Sequence, residues 1–257
     1  MEVLIYDGSF EGFLSTVYEC YYKKYYPLEI LRREPAIRNF IYSYQKIATS
    51  EQKSQKVYDA IKIKLGSDFL KKCYMAHLAE IQTENVKIYE FIRMGFSQGR
   101  IITEDLTHPI VMTVEDLRKK VTREQHRLLG LTRFSILDDE TLFSVIEPKY
   151  DVLSLIAPHF SERLLTERWV IYDKKRKTAV FGQDENWIRK EITGDPEVVF
   201  HSQEEEYRKL WRAFHRSLAI EERRNPKLQK QLMPKYYWKY LTEKSSPPED
   251  GENTALQ

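Results

Sequence analysis

The spacing of the apolar residues changes near residue 130, and this change constrains the fold more than any other feature of the sequence. From about Pro35 to Leu129, apolar residues recur every three or four positions, which predicts helices almost throughout. Short β-rich segments bounded by turn residues follow, and they predict strands. The expected fold class is therefore α+β, with a mostly helical N-terminal half.

The first residues predict a strand, a tight turn and a helix. The segment VLIYDGSF alternates and ends on Asp7, Gly8 and Ser9, after which apolar residues fall at helical spacing. Ser9 can cap this helix with its hydroxyl, and Glu11 suits the positive end of the helix dipole.

Further helices are predicted from local patterns. Two of them have a residue pair typical of a capping box at the start, Thr113 with Asp116 and Ser202 with Glu205. His77 falls on an apolar stripe, which favours a core histidine over a ligand. A helical stripe after Pro35 consists of Ile37, Phe40, Ile41 and Tyr44.

The middle of the chain predicts a small β-β-α-β-β layer over residues of about 126–183. A short helix, started or interrupted at Pro158, separates the second strand from the third. The cations from Lys174 to Lys177 fall at the tip of the last hairpin, where they predict either a solvated turn or a contact with phosphate. The four strand segments are HRLLGLTRFSIL, TLFSVIEP, RWVIYD and KTAVFG.

Positive charge is concentrated near the C-terminus. Residues 207–244 contain eleven Lys or Arg against three Glu, although the whole chain has a formal net charge of +2. The remainder is therefore net acidic, and the C-terminal region creates a local positive field that suits a polyanion.

The helix that opens this region is amphipathic, and the C-terminal strap, residues 222–244, follows it. In the strap, the aromatic residues Tyr236, Tyr237, Trp238 and Tyr240 are interleaved with Lys235 and Lys239. Such aromatics either stack on unpaired bases or dock into the core. The apolar face of the helix carries Tyr207, Leu210, Trp211, Phe214 and Leu218, and the opposite face carries Arg208, Lys209, Arg212 and Arg216.

Several classes of protein lose support from the sequence. Cys20 and Cys73 have no short paired spacing, which argues against a disulfide framework or a thiolate zinc site and fits a reducing compartment. His-Glu-x-x-His, nucleophile-elbow and P-loop motifs do not occur, so we predict no metal and no cofactor. No stretch approaches the roughly 20 apolar residues of a membrane span, and we expect a cytoplasmic protein.

The chain contains three notable blocks of sequence: LIYDGSFEGFLSTVYE, EPKYDVLSLIAPHFSERL with RWVIYDKKR, and LWRAFHRSLAIEERRNPKLQKQLMPKYYWKYLTE. Together they resemble a bacterial family of unknown function labelled probable DNA metabolism protein. The resemblance spans roughly residues 3–243, and it implies a context rather than an active site. Family members look like partners of a radical-SAM protein assigned to DNA modification or repair, and a similar domain occurs joined to a uracil-DNA glycosylase-like domain.

The residues and the resemblance together predict a DNA-binding accessory protein in DNA base modification or repair, which acts with a partner enzyme. Single-stranded DNA or a locally opened duplex is the expected ligand, because the strap offers both cations and aromatic rings. The predicted phosphate contacts are Arg223, Arg224, Lys227, Lys230, Lys235 and Lys239, with Tyr236 or Trp238 as stacking residues.

Two alternatives stay open. The first is an enzyme acting on a nucleic-acid base or nucleotide, with Asp7 and His159 as acid–base groups. The second is a scaffold for a radical-SAM or glycosylase partner, with the aromatic terminus as the interface. The expected organisation is a helical region (1–125), a small α/β layer (126–200), a C-terminal basic helix and strap (201–244) and a disordered tail (245–257).

Overall fold

The structure, a computed structural model, describes residues 2–244, so the predicted tail of residues 245–257 lies outside the described part of the chain. Two compact units are present, with the boundary between Arg123 and Glu124. The fold is α+β, as the change in apolar spacing predicts. Among the described residues, no helix is long and apolar enough to cross a bilayer.

The first unit combines helices with a small parallel sheet. Its strands, in the order β2-β1-β3, are β1 (Glu2–Ile5), β2 (Glu29–Leu31) and β3 (Ser43–Lys46). Its helices are α1 (Phe10–Lys23), α2 (Glu51–Lys64), α3 (Ser67–Leu78) and α4 (Asn85–Gln98), with 3₁₀ segments at Gln82–Glu84 and Arg100–Glu104.

The predicted strand, turn and helix at the start of the chain are confirmed. Ser9 is the N-cap of α1, and its Oγ accepts a hydrogen bond of 2.9 Å from the N–H of Gly12. Asp7 lies so close to this turn that a Cβ on Gly12 would be 2.1 Å from its Oδ1. Glycine at position 12 is therefore what allows the Asp7 carboxylate to approach the first turn of the helix.

The helix predicted after Pro35 is wrong. Residues 43–46 form β3 instead, which pairs in parallel with β1 and places Tyr44 opposite Val3. Ile37, Phe40 and Ile41 are exposed rather than packed on one stripe. Pairing of the backbone with a strand some 40 residues earlier outweighs the local spacing, because the helical pattern here is short and has no packed face to bury.

His77 is a core histidine, as its position on an apolar stripe predicts. Its ring is 3% exposed, and its Nε2 lies 3.1 Å from the hydroxyl of Tyr6. Burial, and then the nearby Arg32 guanidinium, lower the pKa of His77 well below its ordinary value. The imidazole is therefore neutral at physiological pH.

A long helix, α5 (Pro109–Leu131), contains the boundary between the two units. The capping box predicted at Thr113 and Asp116 is wrong, because α5 begins four residues earlier. The Thr113 hydroxyl donates a hydrogen bond of 2.9 Å to the carbonyl of Pro109, inside the helix. Proline is favoured at the first helical position, where its missing N–H has no partner to lose.

The second unit confirms the predicted β-β-α-β-β order and adds a strand to it. The first strand is shorter than the predicted segment, HRLLGLTRFSIL, because residues 126–131 belong to α5 and only Ser135–Ile136 form a strand. The parallel pair β5–β6 is joined to antiparallel neighbours in the order β4-β5-β6-β7-β8. The strands are β4 (Ser135–Ile136), β5 (Leu142–Ile146), β6 (Trp169–Asp173), β7 (Thr178–Gln183) and β8 (Asn186–Glu191). The helices are α6 (Leu153–Arg163), α7 (Glu204–Ser217) and α8 (Pro226–Leu232), with 3₁₀ segments at Glu221–Arg223 and Lys235–Tyr240.

Two local expectations for the second unit need correction. Pro158 lies inside α6 and neither starts nor interrupts it. The capping box predicted at Ser202 and Glu205 is also wrong, because α7 begins at Glu204 without a side-chain cap. Glu204 instead accepts a hydrogen bond of 2.9 Å from the N–H of Ile136, so its carboxylate attaches the helix to β4.

The core of the second unit contains a tryptophan that requires a glycine beside it. Trp169 is 1% exposed and is paired across the strands with Gly182. A Cβ on Gly182 would lie 2.0 Å from a carbon of the Trp169 ring. The indole therefore occupies the space that any larger residue at position 182 would need.

Candidate functional site

The aromatic part of the C-terminal strap is docked onto the second unit. Tyr237 is 3% exposed, whereas Tyr236 keeps 45% of its surface exposed. The indole N–H of Trp238 donates a hydrogen bond of 2.9 Å to the carbonyl of Met233, and the ring is partly buried. Tyr236 therefore has more free ring surface than Tyr237. This part of the strap forms the 3₁₀ segment Lys235–Tyr240.

One buried carboxylate holds this docked segment. Glu124 is 2% exposed, and it accepts hydrogen bonds from the hydroxyls of Tyr237 at 2.9 Å and Tyr236 at 3.2 Å. It also accepts the backbone N–H groups of Lys149 and Tyr150 at 2.8 and 2.6 Å. Burial raises the pKa of Tyr236 to about 12 and that of Tyr237 further, so both hydroxyls remain protonated donors.

The predicted phosphate-binding cations are mostly exposed. Arg223, Arg224, Lys227, Lys230 and Lys235 all have solvent-exposed side chains. Lys227 and Lys230 are three residues apart on α8, which makes them neighbours on the helix surface. Within residues 2–244, no ion pair involves Arg223, Lys227, Lys230 or Lys235.

Lys239 differs from these cations because it is bound to the protein. Its ammonium pairs with the carboxylate of Glu147, which also accepts a hydrogen bond of 2.8 Å from the Tyr240 hydroxyl. The hydrogen bonds from Lys239 and Tyr240 lower the pKa of Glu147. Lys239 is thus held in place, although its side chain is 54% exposed.

Three of the four hairpin cations, Lys175, Arg176 and Lys177, are engaged in holding the turn. Arg176 forms an ion pair of 2.8 Å with the fully buried Asp173, and Lys177 pairs with Asp195 at 2.8 Å. Lys175 donates a hydrogen bond of 2.7 Å to the carbonyl of Lys149. These contacts favour the structural interpretation of the turn over the phosphate one.

A cluster of three side chains joins helix α7 to the end of the C-terminal strap. The Arg133 guanidinium pairs with Glu243 at 2.8 Å, and the Trp211 indole N–H donates to the same carboxylate at 2.9 Å. Arg133 also lies 5.3 Å from the centroid of the Trp211 ring. Burial opposes ionisation of Glu243, but the hydrogen bonds from Arg133 and Trp211 outweigh it and lower its pKa.

The apolar face predicted for α7 is uncovered. Its residues keep between 38% and 66% of their surface exposed, far more than core side chains do. An apolar helix face of this kind is a feature of interaction surfaces rather than of ordinary monomer surfaces. The exposed residues are Tyr207, Leu210, Trp211, Phe214 and Leu218.

The two candidate catalytic residues belong to different units. Asp7, in the first unit, accepts hydrogen bonds from the Ser9 hydroxyl at 2.6 Å and the Thr49 hydroxyl at 2.7 Å. Burial raises the pKa of Asp7, but these hydrogen bonds outweigh it and lower the pKa below its ordinary value. His159, in the second unit, lies partly buried on α6 with its ring 5.1 Å from that of Phe160. Their acid–base roles stay a prediction.

A cleft in the second unit brings together residues that the sequence did not single out as a group. Its volume is about 190 Å³. Arg133 and Arg208 lie far apart in the chain, and long-range contacts such as the hydrogen bond from Arg208 to the Ser135 hydroxyl bring them to the same cleft, so no local pattern could have predicted the site. The charged and aromatic residues that line it are Arg133, Arg208, Lys239, Phe200 and Tyr240.

Comparison with known families gives one match. A family model described as "Domain of unknown function (DUF4130)" matches residues 82–243. The matched region is more than half of the chain and extends from the last part of the first unit to the end of the strap. No curated protein shows significant sequence similarity to the chain.

Proposed function

The chain belongs to the DUF4130 family of domains of unknown function, and we propose that it is a DNA-binding accessory protein in DNA base modification or repair that acts with a partner enzyme. The main observation that supports this proposal is the set of exposed Lys and Arg side chains in the strap. The resemblance to the family labelled probable DNA metabolism protein supports the DNA context and a radical-SAM or uracil-DNA glycosylase-like protein as the partner.

The charge of the strap suits a phosphate backbone. From Arg223 to Thr242 the sequence contains six Lys or Arg and no acidic residue. Lys227 and Lys230 are exposed on α8 and have no ion pair within the described residues. Cations without carboxylate partners can neutralise phosphates and release counterions, which makes binding strongly dependent on salt.

The aromatic residues support single-stranded DNA or a locally opened duplex rather than closed duplex. Tyr236, with almost half its surface exposed, is the better stacking candidate of the strap. Trp238 is partly buried and has Lys244 4.8 Å from its ring centroid, so less of its ring is free. Tyr237 is buried, so its ring takes no part in stacking.

The test is a salt series of binding to a short oligonucleotide, single- and double-stranded, by fluorescence anisotropy. Replacing both Lys227 and Lys230 with Ala should weaken binding to the single strand. It should also reduce the slope of log K against log salt by about 1.4, since each phosphate contributes roughly 0.7. The matched control replaces Lys62 and Lys64, two exposed lysines of α2, with Ala.

Two results would count against the proposal. One is the absence of detectable binding at low salt. The other is an equal loss of affinity in the Lys62 and Lys64 control, because that would mean that net charge alone determines binding.

A second candidate function, a protein-interaction scaffold, is favoured by the uncovered face of α7. The occupant it fits is an apolar groove with an acidic rim on a partner protein, because Lys209 and Arg212 flank the apolar residues. A second copy of this chain is a poorer fit, since it would bring an equally positive surface to the contact.

The scaffold function predicts that Leu210→Ser together with Phe214→Ser abolishes binding to the radical-SAM or glycosylase-like partner in a purified two-component assay. DNA binding through the strap should be unchanged. Sedimentation of the chain alone tests whether a second copy of the chain covers this face instead. A dimer that the wild-type chain forms and the double Leu210→Ser, Phe214→Ser variant loses would identify self-association and refute the scaffold function.

A further inference from the structure

The cleft beside α7 has a lining of one charge sign. Arg133, Arg208 and Lys239 contribute to its wall, and none of the carboxylates within residues 2–244 lines it. The glutamates that pair with these cations, Glu243, Glu204 and Glu147, lie outside the lining. Ser135 and Tyr240 add hydroxyl groups, and Phe200 adds an aromatic ring. A small concave site with several cations and a ring is suited to a phosphate group attached to a planar base.

The cations of the cleft are fixed in position before any ligand arrives. Arg208 pairs with Glu204 at 2.8 Å, and Arg133 pairs with Glu243 at 2.8 Å. Supporting carboxylates of this kind hold the arginine side chains in one geometry. The side chains therefore lose less conformational entropy when a ligand binds.

Arg208 retains hydrogen-bonding capacity for a ligand. Its Nε donates to Glu204, and one N–H of Nη2 donates to the Ser135 hydroxyl at 2.8 Å. A guanidinium has five N–H donors, so three remain uncommitted among the hydrogen bonds of the described residues. Because Ser135 accepts from Arg208, its own hydroxyl hydrogen can also point to a ligand.

Phe200 provides a surface for the base. It is 44% exposed, and the Arg208 guanidinium lies 5.1 Å from its ring centroid. Phe200 therefore lies beside one of the cations of the cleft, so a ligand that contacts the ring can also reach the Arg208 guanidinium.

We propose that this cleft binds one nucleotide unit, with the phosphate held by Arg208 and Lys239 and the base against Phe200. The inference rests on the proposed function, because the nucleotide would belong to a DNA strand whose backbone continues along the strap. It adds a subsite for one nucleotide to the exposed cations and the Tyr236 ring of the strap.

Titration calorimetry with dTMP, deoxyribose 5-phosphate and inorganic phosphate tests the subsite. The full chain should bind dTMP more tightly than either of the other two. Arg208→Gln should weaken dTMP binding about tenfold or more, since it removes a charge-assisted contact. Phe200→Leu should bring the affinity for dTMP close to that for deoxyribose 5-phosphate.

Arg212→Gln is the matched control, because Arg212 lies one turn further along α7 and also pairs with a glutamate of the first turn. It should leave dTMP binding unchanged. Lys239→Ala is a second test, and it leaves α7 unaltered because Lys239 lies in the 3₁₀ segment of the strap. The Lys239 side chain is half exposed, so its removal should leave the fold intact. It should weaken dTMP binding several-fold while the thermal melting curve remains cooperative.

The inference is overturned if dTMP does not bind at millimolar concentration, if inorganic phosphate binds as tightly as dTMP, or if Arg212→Gln is as damaging as Arg208→Gln. The proposed function is tested separately. Oligonucleotide binding that depends on Lys227 and Lys230 without dTMP binding would refute only the subsite. Binding of dTMP without oligonucleotide binding would refute only the DNA-binding function.

Discussion

The hydroxyl of Tyr237 donates a hydrogen bond of 2.9 Å to the carboxylate of Glu124, across 113 residues of sequence. Replacing Tyr237 with Phe should lower the free energy of unfolding by about 1–1.5 kcal/mol, because the buried acceptor loses a partner. Denaturant titration followed by circular dichroism measures the change.

Tyr236→Phe is the matched control for that substitution. Its hydrogen bond to Glu124 is longer, at 3.2 Å, and its ring is 45% exposed, so water can replace the hydroxyl. We expect a loss below about 0.5 kcal/mol. Equal losses in the two variants would show that burial of the hydrogen bond does not matter.

The Arg133–Glu243–Trp211 cluster predicts a dependence of stability on pH. The pKa of Glu243 is lowered in the folded protein from an ordinary value of 4.5. Its ionised form therefore stabilises the fold above that value, and this contribution is lost as the pH falls through the lower, folded-state pKa. Glu243→Gln should reduce stability at neutral pH by about 1–2 kcal/mol and flatten this acid dependence.

Unfolding free energies measured at several pH values between about 3 and 7 check this prediction. Glu222→Gln, at an exposed position of the same strap, provides the comparison. An acid dependence that survives unchanged in Glu243→Gln would assign it to other carboxylates.

Gly182 and Gly130 should respond to alanine in opposite directions. Alanine at 182 would place a Cβ within 2.0 Å of the Trp169 ring, and the resulting overpacking should cost about 1–3 kcal/mol. Alanine at 130, on α5, meets no atom within 4 Å and should raise stability by up to about 1 kcal/mol. Thermal and chemical unfolding of the two variants distinguish the effects by sign.

Both thiols should be unreactive in the folded protein. Cys20 and Cys73 are 1% and 0% exposed, and burial raises the pKa of Cys20 to about 12 and also raises that of Cys73. Because the thiolate is the reactive form, a thiol reagent at about pH 8 should modify neither until denaturant is added. Modification of a native thiol at the rate of a free cysteine would contradict the burial of that side chain.

The sequence predicted features that depend on neighbouring residues and missed those that depend on distant ones. The Ser9 cap and the strands β5, β6 and β7 follow from local patterns, and they are confirmed. The first predicted strand was placed too early, because its first half continues α5. β8 was missed because its segment, NWIRKE, is mostly polar, and it forms through pairing with β7.

The same distinction applies to the candidate site. The cations of the strap are visible in composition, so their exposure could be expected. Glu124, in contrast, accepts hydrogen bonds from residues 25 and more than 110 positions away. Nothing in the sequence next to Glu124 indicates these contacts. The capping-box pattern gave wrong helix starts at Thr113 and Ser202, whereas Pro109 marks the true start of α5.

The Glu124 contact also bears on the order in which the second unit can fold during synthesis. Glu124 is the first residue of that unit, but the hydroxyls of Tyr236 and Tyr237 emerge from the ribosome only after more than a hundred further residues. Until then its carboxylate lacks half of its hydrogen-bond donors. Nascent chains stalled before Tyr236 should therefore remain sensitive to protease in the second unit, and release of the strap should be the step that makes this unit resistant.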